Sequence, residues 1–152
     1  MKNKEVLNRL NLITCYLLVF LFTYTGISKL IDHSAFLSSL LQSTVIRNQA
    51  SFISWFIPIF ELLTVVLLLS NKYSKIGLLF SLLLLIIFTL YIACMILFVP
   101  HLPCSCGGVL KELSWSNHIL FNSFFILLIV ISLFSTKHKL FIAINRTSRK
   151  PV

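Results

Sequence analysis

The sequence predicts an all-α fold, a polytopic membrane bundle of four helices, because of its composition and its long apolar runs. Hydrophobic residues make up 58% of the 152 residues and charged residues only 11%, against about 45–50% and about 25% in soluble domains. A membrane-spanning helix needs roughly 17–25 predominantly apolar residues. The runs predict spans at about 10–30, 52–70, 76–99 and 118–135, within a single integral membrane domain covering residues 1–152.

The first apolar run follows a basic N-terminus, as the apolar part of a secretory signal also does. It is longer than the roughly 7–15 residues typical of signals, and Gly26–Leu30 follows it where a signal would have an A-x-A-like cleavage site. We therefore expect it to be retained as the first transmembrane helix. Residues 31–45 then carry apolar side chains at helical spacings, which predicts a short amphipathic outer helix between the first two spans.

The remaining spans have recognisable ends. Pro58 lies in the first turns of the second span, where a proline can kink a helix, and Pro100 ends the third span. Trp55 and Trp115 fall where helices are expected to meet the outer interface, as in the aromatic belts of membrane proteins.

The positive charges predict the orientation of the bundle. Of the 13 Lys and Arg residues, the N-terminal segment carries three, the turn at 71–75 two and the C-terminal tail 136–152 five. The positive-inside rule then gives N-in/C-in topology, with loops 28–51 and 100–117 outside. We expect a bacterial inner (cell) membrane with these loops facing the oxidising periplasm. The net charge of +9 is thus a topology signal, with membrane lipid and not nucleic acid as the partner.

Cys104 and Cys106 are the residues with the clearest chemical meaning. They lie one residue apart, directly before Gly107 and Gly108, in the second predicted outer loop. A disulfide that closes so small a ring is strained, and strained disulfides exchange readily with other thiols. A redox-active Cys104–Cys106 disulfide is the favoured interpretation, while metal ligation and a structural role stay open.

The metal alternative involves two histidines. His101, Cys104, Cys106 and His118 lie within 18 residues and together offer two sulfur and two nitrogen ligands for tetrahedral zinc. The spacing of the cysteines is shorter than in ordinary zinc sites, so we assign no metal ligands. His118 is instead a candidate catalytic base, a cation that activates the attacking thiol, or a hydrogen-bonding group at the start of the fourth helix.

The other two cysteines lie inside predicted spans. Cys15 is some 20 Å or more below the outer surface at about 1.5 Å per residue, so we interpret it as a small buried apolar residue. Cys94 lies six residues before Pro100, roughly 9 Å below the outer interface. It is either a packing residue or a disulfide partner that a re-entrant loop brings to Cys104 or Cys106.

Glu61 is the one acidic residue within a predicted span. An ionisable group at that depth is costly and is by default a functional hypothesis. It could receive a proton during quinone reduction, pair with the polar end of the first span at 23–28, or order the bundle as a neutral hydrogen-bonded group. Lys29 and Asp32 lie three residues apart and are predicted to form a surface pair of little stabilising effect.

Three segments together carry a family pattern. They are Gly26–Asp32 with Phe36; Pro58–Leu62; and Pro103–Gly108 with Leu113–Trp115, His118 and Asn122. In this order, over roughly residues 8–135, the chain resembles the MauE/DoxX group of small four-helix membrane proteins, and more closely its methylamine-utilisation MauE branch.

The resemblance implies a membrane-bound, redox-associated protein. MauE is linked to maturation of the disulfide-rich methylamine dehydrogenase subunit, and DoxX relatives to quinone-coupled sulfur oxidation. The resemblance also implies that Cys104 and Cys106 are the thiol pair and that Glu61 and Lys29 are polar positions of the family pattern. Nothing in the residues themselves points to methylamine.

The combined expectation is an inner-membrane protein that exchanges thiols and disulfides with a periplasmic client protein through Cys104 and Cys106. Exchange would pass through a mixed disulfide, with Glu61 and His118 as further candidate catalytic residues. A quinone or another carrier in the bundle would reset the pair, although no residue pattern requires a quinone or predicts its binding residues. A non-catalytic assembly factor and a Cys/His metal-binding membrane protein are the alternatives, and the sequence predicts no oligomeric state.

Overall fold

The computed structural model describes residues 2–43, 46–70, 72–98 and 115–147, which are almost entirely helical and contain no strand. The helices are α1 (Lys2–Ile31), α2 (His33–Leu41), α3 (Ala50–Leu69), α4 (Ser74–Phe98) and α5 (Trp115–Thr147), with a 3₁₀ turn at Arg47–Gln49. Four of them, α1, α3, α4 and α5, are long and apolar enough to cross a membrane. The predicted all-α fold with four spans is confirmed.

The spans themselves lie close to the predicted ones, at Arg9–Ile31, Arg47–Leu69, Ser74–Leu97 and Asn117–Phe134. Their outward faces carry large apolar side chains. Phe20 is 73% exposed, Val66 64% and Leu97 76%. Such faces match lipid, which is as apolar as the side chains themselves.

Two helices extend beyond the predicted spans. α1 begins at Lys2, and α5 continues to Thr147, well into the segment that the sequence predicted to be a basic tail after residue 135. The predicted ends followed the loss of apolar character. The loss of apolar character does not by itself end a helix, because many polar residues have good helix propensity, and α5 contains neither glycine nor proline.

The predicted short helix between the first two spans is α2. Its Phe36 and Leu40 are buried against Ala50 at the start of α3. The His33 Nε2 atom lies 3.1 Å from Ser54 Oγ, and the His33 ring lies 4.3 Å from the Trp55 ring. The amphipathic helix therefore packs onto one end of α3.

Two glycines allow close helix contacts. A Cβ atom at Gly77 would lie 2.8 Å from the backbone nitrogen of Leu68, so α4 approaches the backbone of α3 directly. A Cβ atom at Gly26 would lie 3.3 Å from the Leu62 side chain and 3.4 Å from Glu61 Cβ. Small residues at such crossings are typical of helix packing in membranes, and Gly26 brings α1 against α3 at the level of Glu61.

Candidate functional site

A cavity of about 380 Å³ lies between the helices. This volume falls in the range of about 300–1,000 Å³ that is usual for small-molecule sites. The walls are mainly apolar and come from all five helices. The polar or reactive residues among them are Thr25, Lys29, Ser39, Glu61, Tyr91, Cys94, His118 and Asn122.

The cavity lies toward one end of the bundle. It is lined by the second half of α1, the second half of α4 and the first turns of α5, together with α2. This is the end at which α4 stops at Phe98 and α5 begins at Trp115. The segment 99–114, with Cys104 and Cys106, is therefore joined to the bundle at the cavity end.

A buried ion pair forms the polar centre of the cavity wall. Lys29 Nζ donates a hydrogen bond to Glu61 Oε1 over 2.5 Å, and the two side chains are 13% and 1% exposed. Thr25 Oγ1 lies 3.3 Å from the same oxygen and 3.0 Å from the Leu21 carbonyl oxygen, so it shares one proton between two acceptors. Pairing of Glu61 with the polar end of the first span, one of the roles considered from sequence, is observed at Thr25, and the ion pair with Lys29 lies just beyond that end.

Two aromatic rings enclose the ammonium group of Lys29. Its Nζ atom lies 5.7 Å from the centroid of the Phe36 ring and 5.1 Å from that of Phe88. Cation–π attraction at such distances is worth about 0.5–2 kcal/mol. Lys29 is not the surface residue that the sequence predicted, because its side chain is only 13% exposed and contacts Phe36 of α2, Glu61 of α3 and Phe88 of α4.

The second carboxylate oxygen of Glu61 differs from the first. Oε1 has two donor groups within reach, Lys29 and Thr25, whereas the buried Oε2 has no hydrogen-bond partner within the part of the chain that is described. A buried acceptor left unsatisfied costs about 1–3 kcal/mol, and more when it is charged. Glu61 therefore retains hydrogen-bonding capacity inside an apolar wall.

Helix α5 contributes His118 and Asn122 to the cavity wall. They lie four residues apart on α5, so they share one face, and both are buried (7% and 8% exposed). Both line the cavity together with the half-buried Cys94 of α4. His118 is therefore part of the cavity wall as well as a residue of the first turn of α5.

The family comparison agrees with this architecture. The model of the family described as "Methylamine utilisation protein MauE" matches residues 7–135. The chain belongs to the MauE family. No curated protein and no solved structure gives a significant match. The MauE match extends over all four spans, every residue that lines the cavity, and the segment with Cys104 and Cys106.

The cysteines of this MauE-family chain fall into two groups. Cys104 and Cys106, like His101, lie outside the described residues. Cys15 and Cys94 are described, and neither is in a disulfide within that part of the chain. Cys15, which the sequence predicted to be buried, is partly buried and packs against the apolar core around Leu18, whereas Cys94 lines the cavity.

The metal alternative considered from sequence involves mainly residues outside the described ranges. Residues 2–43, 46–70, 72–98 and 115–147 contain no group of three or more His, Cys, Asp or Glu side chains that could hold a metal ion. Three members of the zinc set considered from sequence, namely His101, Cys104 and Cys106, lie outside those ranges.

Two residues of the cavity wall, Tyr91 and Asn122, were not predicted as site residues from sequence. Tyr91 precedes Cys94 by three residues, and Asn122 follows His118 by four, so each pair shares a helix face. Polar residues repeated at helical spacing within a span are a signal that could have identified this wall. Lys29 offered no such signal, because its partner Glu61 is 32 residues away.

Proposed function

We propose that this MauE-family protein is a thiol–disulfide exchange protein of the bacterial inner membrane, acting through Cys104 and Cys106 on periplasmic client proteins during their maturation. The observation that carries the proposal is the mainly apolar cavity with its buried Lys29–Glu61 pair. It lies at the end of the bundle to which the Cys104–Cys106 segment is joined. A small redox carrier held there would lie at the end of the bundle that is connected to the Cys104–Cys106 segment.

The exchange itself requires only the two cysteines and the client. A client thiolate attacks the Cys104–Cys106 disulfide and forms a mixed disulfide, releasing one of the two cysteines as a thiolate. The second client thiol then attacks the mixed disulfide. The products are an oxidised client and a reduced Cys104/Cys106 pair, so two electrons and two protons have moved from the client.

Closing the Cys104–Cys106 disulfide again releases two electrons and two protons, which reduce one quinone to a quinol. The cavity fits a quinone ring by volume and by its apolar walls, with Lys29 as a donor for a carbonyl oxygen. Glu61 and His118 line the same cavity and are the candidate proton carriers. Bound quinone would supply the two-electron oxidising capacity.

The proposed orientation makes a direct prediction. With N-in/C-in topology, a membrane-impermeant maleimide added to intact cells after mild reduction should label Cys104 and Cys106, because both would face the periplasm. Mass spectrometry of the labelled peptides checks the result. The Cys104→Ser/Cys106→Ser variant, which keeps Cys15 and Cys94, is the matched control and should stay unlabelled. Labelling that requires permeabilised cells would show the opposite orientation.

The exchange chemistry makes a second prediction. In the reverse direction of the exchange, the Cys104 thiolate of Cys106→Ser should attack the disulfide of an oxidised client, release one client thiolate and form a mixed disulfide, because the serine that replaces Cys106 cannot complete the reduction of the client. Cys104→Ser should react in the same way through Cys106. Non-reducing electrophoresis followed by mass spectrometry identifies the client. Maturation of that client should fall to the background rate in both variants.

The Cys104→Ser/Cys106→Ser variant distinguishes this function from the alternatives. Client maturation at the wild-type rate in this variant would contradict the exchange mechanism and favour a non-catalytic assembly factor. Stoichiometric zinc in wild-type protein purified without added metal, lost in the same variant, would favour the metal-binding alternative.

A further inference from the structure

The unpaired oxygen of Glu61 indicates which chemical form of a carrier the cavity accepts. While Glu61 is ionised beside Lys29, its buried Oε2 atom is an acceptor only, and no donor reaches it within the described segments. The terminal torsion of a glutamate rotates over a broad range, so the carboxylate can turn Oε2 toward a ligand without any change in the backbone. A ligand that donates a hydrogen bond would therefore remove an existing cost.

The charge of the wall excludes strongly charged ligands. The Lys29 ammonium and the Glu61 carboxylate balance each other at 2.5 Å. An anionic head would meet the carboxylate, a cationic head would meet the ammonium, and either would lose hydration in a mainly apolar cavity. A neutral head is therefore favoured.

The aromatic residues of the cavity wall indicate that the ligand contains a flat ring. The rings of Phe36, Phe88, Tyr91 and Phe121 line the cavity, and aromatic side chains pack well against flat rings. The cavity also lies between membrane-spanning helices, so its ligand can arrive through lipid.

We propose that the cavity binds a neutral aromatic hydroxyl compound, the quinol form of a membrane quinone, in preference to the oxidised quinone, through a hydrogen bond from the quinol hydroxyl to Glu61 Oε2. This inference rests on the proposed function for the identity of the carrier. A quinone carbonyl cannot donate to Oε2, whereas each quinol hydroxyl can. Tighter binding of the product quinol makes reduction of the bound quinone by the Cys104/Cys106 dithiol more favourable. The reaction itself is unchanged, since two electrons and two protons pass from the dithiol to the quinone.

The test compares three probes of nearly the same shape. They are a decyl-substituted benzohydroquinone, the corresponding benzoquinone and the corresponding dimethyl ether, which keeps both oxygens but has no donor. Dissociation constants are measured by anaerobic equilibrium dialysis on full-length protein carrying Cys104→Ser/Cys106→Ser, so that the thiol pair cannot reduce the quinone. We expect the hydroquinone to bind about tenfold or more tightly than either other probe, as one hydrogen bond to a charged group predicts.

Glu61→Gln provides the matched variant. A glutamine can keep its oxygen toward Lys29 and present its amide N–H₂ to the cavity, which exchanges an acceptor for a donor. The preference for the hydroquinone should then disappear or reverse toward the benzoquinone. Should this variant fail to fold, the three dissociation constants measured on the Cys104→Ser/Cys106→Ser protein are sufficient to test the preference for the hydroquinone.

Equal affinities for the three probes, or binding of none of them, would overturn this inference. Either result would leave thiol exchange standing, because that is measured by client trapping in protein with intact cysteines. Conversely, a preserved hydroquinone preference together with no trapped client would support the ligand site and contradict the proposed exchange.

Discussion

Lys29→Met is expected to destabilise the protein by about 3–5 kcal/mol, the usual effect of removing one partner from a buried ion pair. The reason is the position of Glu61, which is 1% exposed and, among the described residues, would keep only the Thr25 hydroxyl as a nearby donor. Methionine retains the length and apolar character of the lysine stem, so lost packing contributes little. Thermal and denaturant unfolding of the detergent-solubilised protein measure the effect.

The double variant Lys29→Met/Glu61→Leu is the control for this prediction. Replacing a buried ion pair by apolar residues of similar size is often neutral or stabilising, so the double variant should recover most of the loss. A double-mutant cycle with Glu61→Leu alone then yields the coupling energy between the two side chains. Additive losses in the cycle would show that the pair does not act as a buried ionic unit.

Cys94→Phe should separate the two halves of the proposed reaction. Cys94 lines the cavity, so a phenyl ring there would occupy space that the carrier needs. Oxidation of one equivalent of client by the preformed Cys104–Cys106 disulfide should proceed normally. Repeated turnover with a quinone should slow by about tenfold or more, which corresponds to a loss of about 1.4 kcal/mol in carrier binding. Client oxidation is followed in single-turnover and multiple-turnover assays.

Two further variants isolate the effect of bulk. Leu97→Phe adds a ring three residues later on the same helix, where the side chain is 76% exposed, and should leave both assays unchanged. Cys94→Ser removes the thiol without filling the cavity. If Cys94→Ser slows turnover as much as Cys94→Phe, the thiol itself takes part, as the pairing with Cys104 or Cys106 considered from sequence would require.

The agreement between the sequence-based predictions and the structure is closest for features that depend on residues close together along the chain. The four spans and the short helix α2 follow from apolar content and helical spacing, which are local properties. The ends of α1 and α5 were missed because the loss of apolar character marks the edge of a span, whereas a helix can continue beyond it, to Lys2 and Thr147.

The candidate site shows the opposite pattern. Glu61 stood out from sequence because an acid within a span is costly anywhere in a bilayer, and His118 and Cys94 were recognised by residue type. Their common position around one cavity was not predictable. It depends on how far each helix is shifted and rotated against its neighbours.

The sequence by itself determined the class of this protein, a four-span helical membrane protein of the MauE family with one acidic residue inside a span and a Cys-x-Cys pair. The tertiary structure alone decided that Lys29 is the partner of Glu61, that one carboxylate oxygen stays unpaired, and that both residues line a cavity. The physical reason is the packing of α1 against α3, which includes the contact of Gly26 with Glu61 and Leu62 and brings Lys29 to Glu61. Contacts of this kind join residues that are distant along the chain, so they depend on packing between helices and not on local composition.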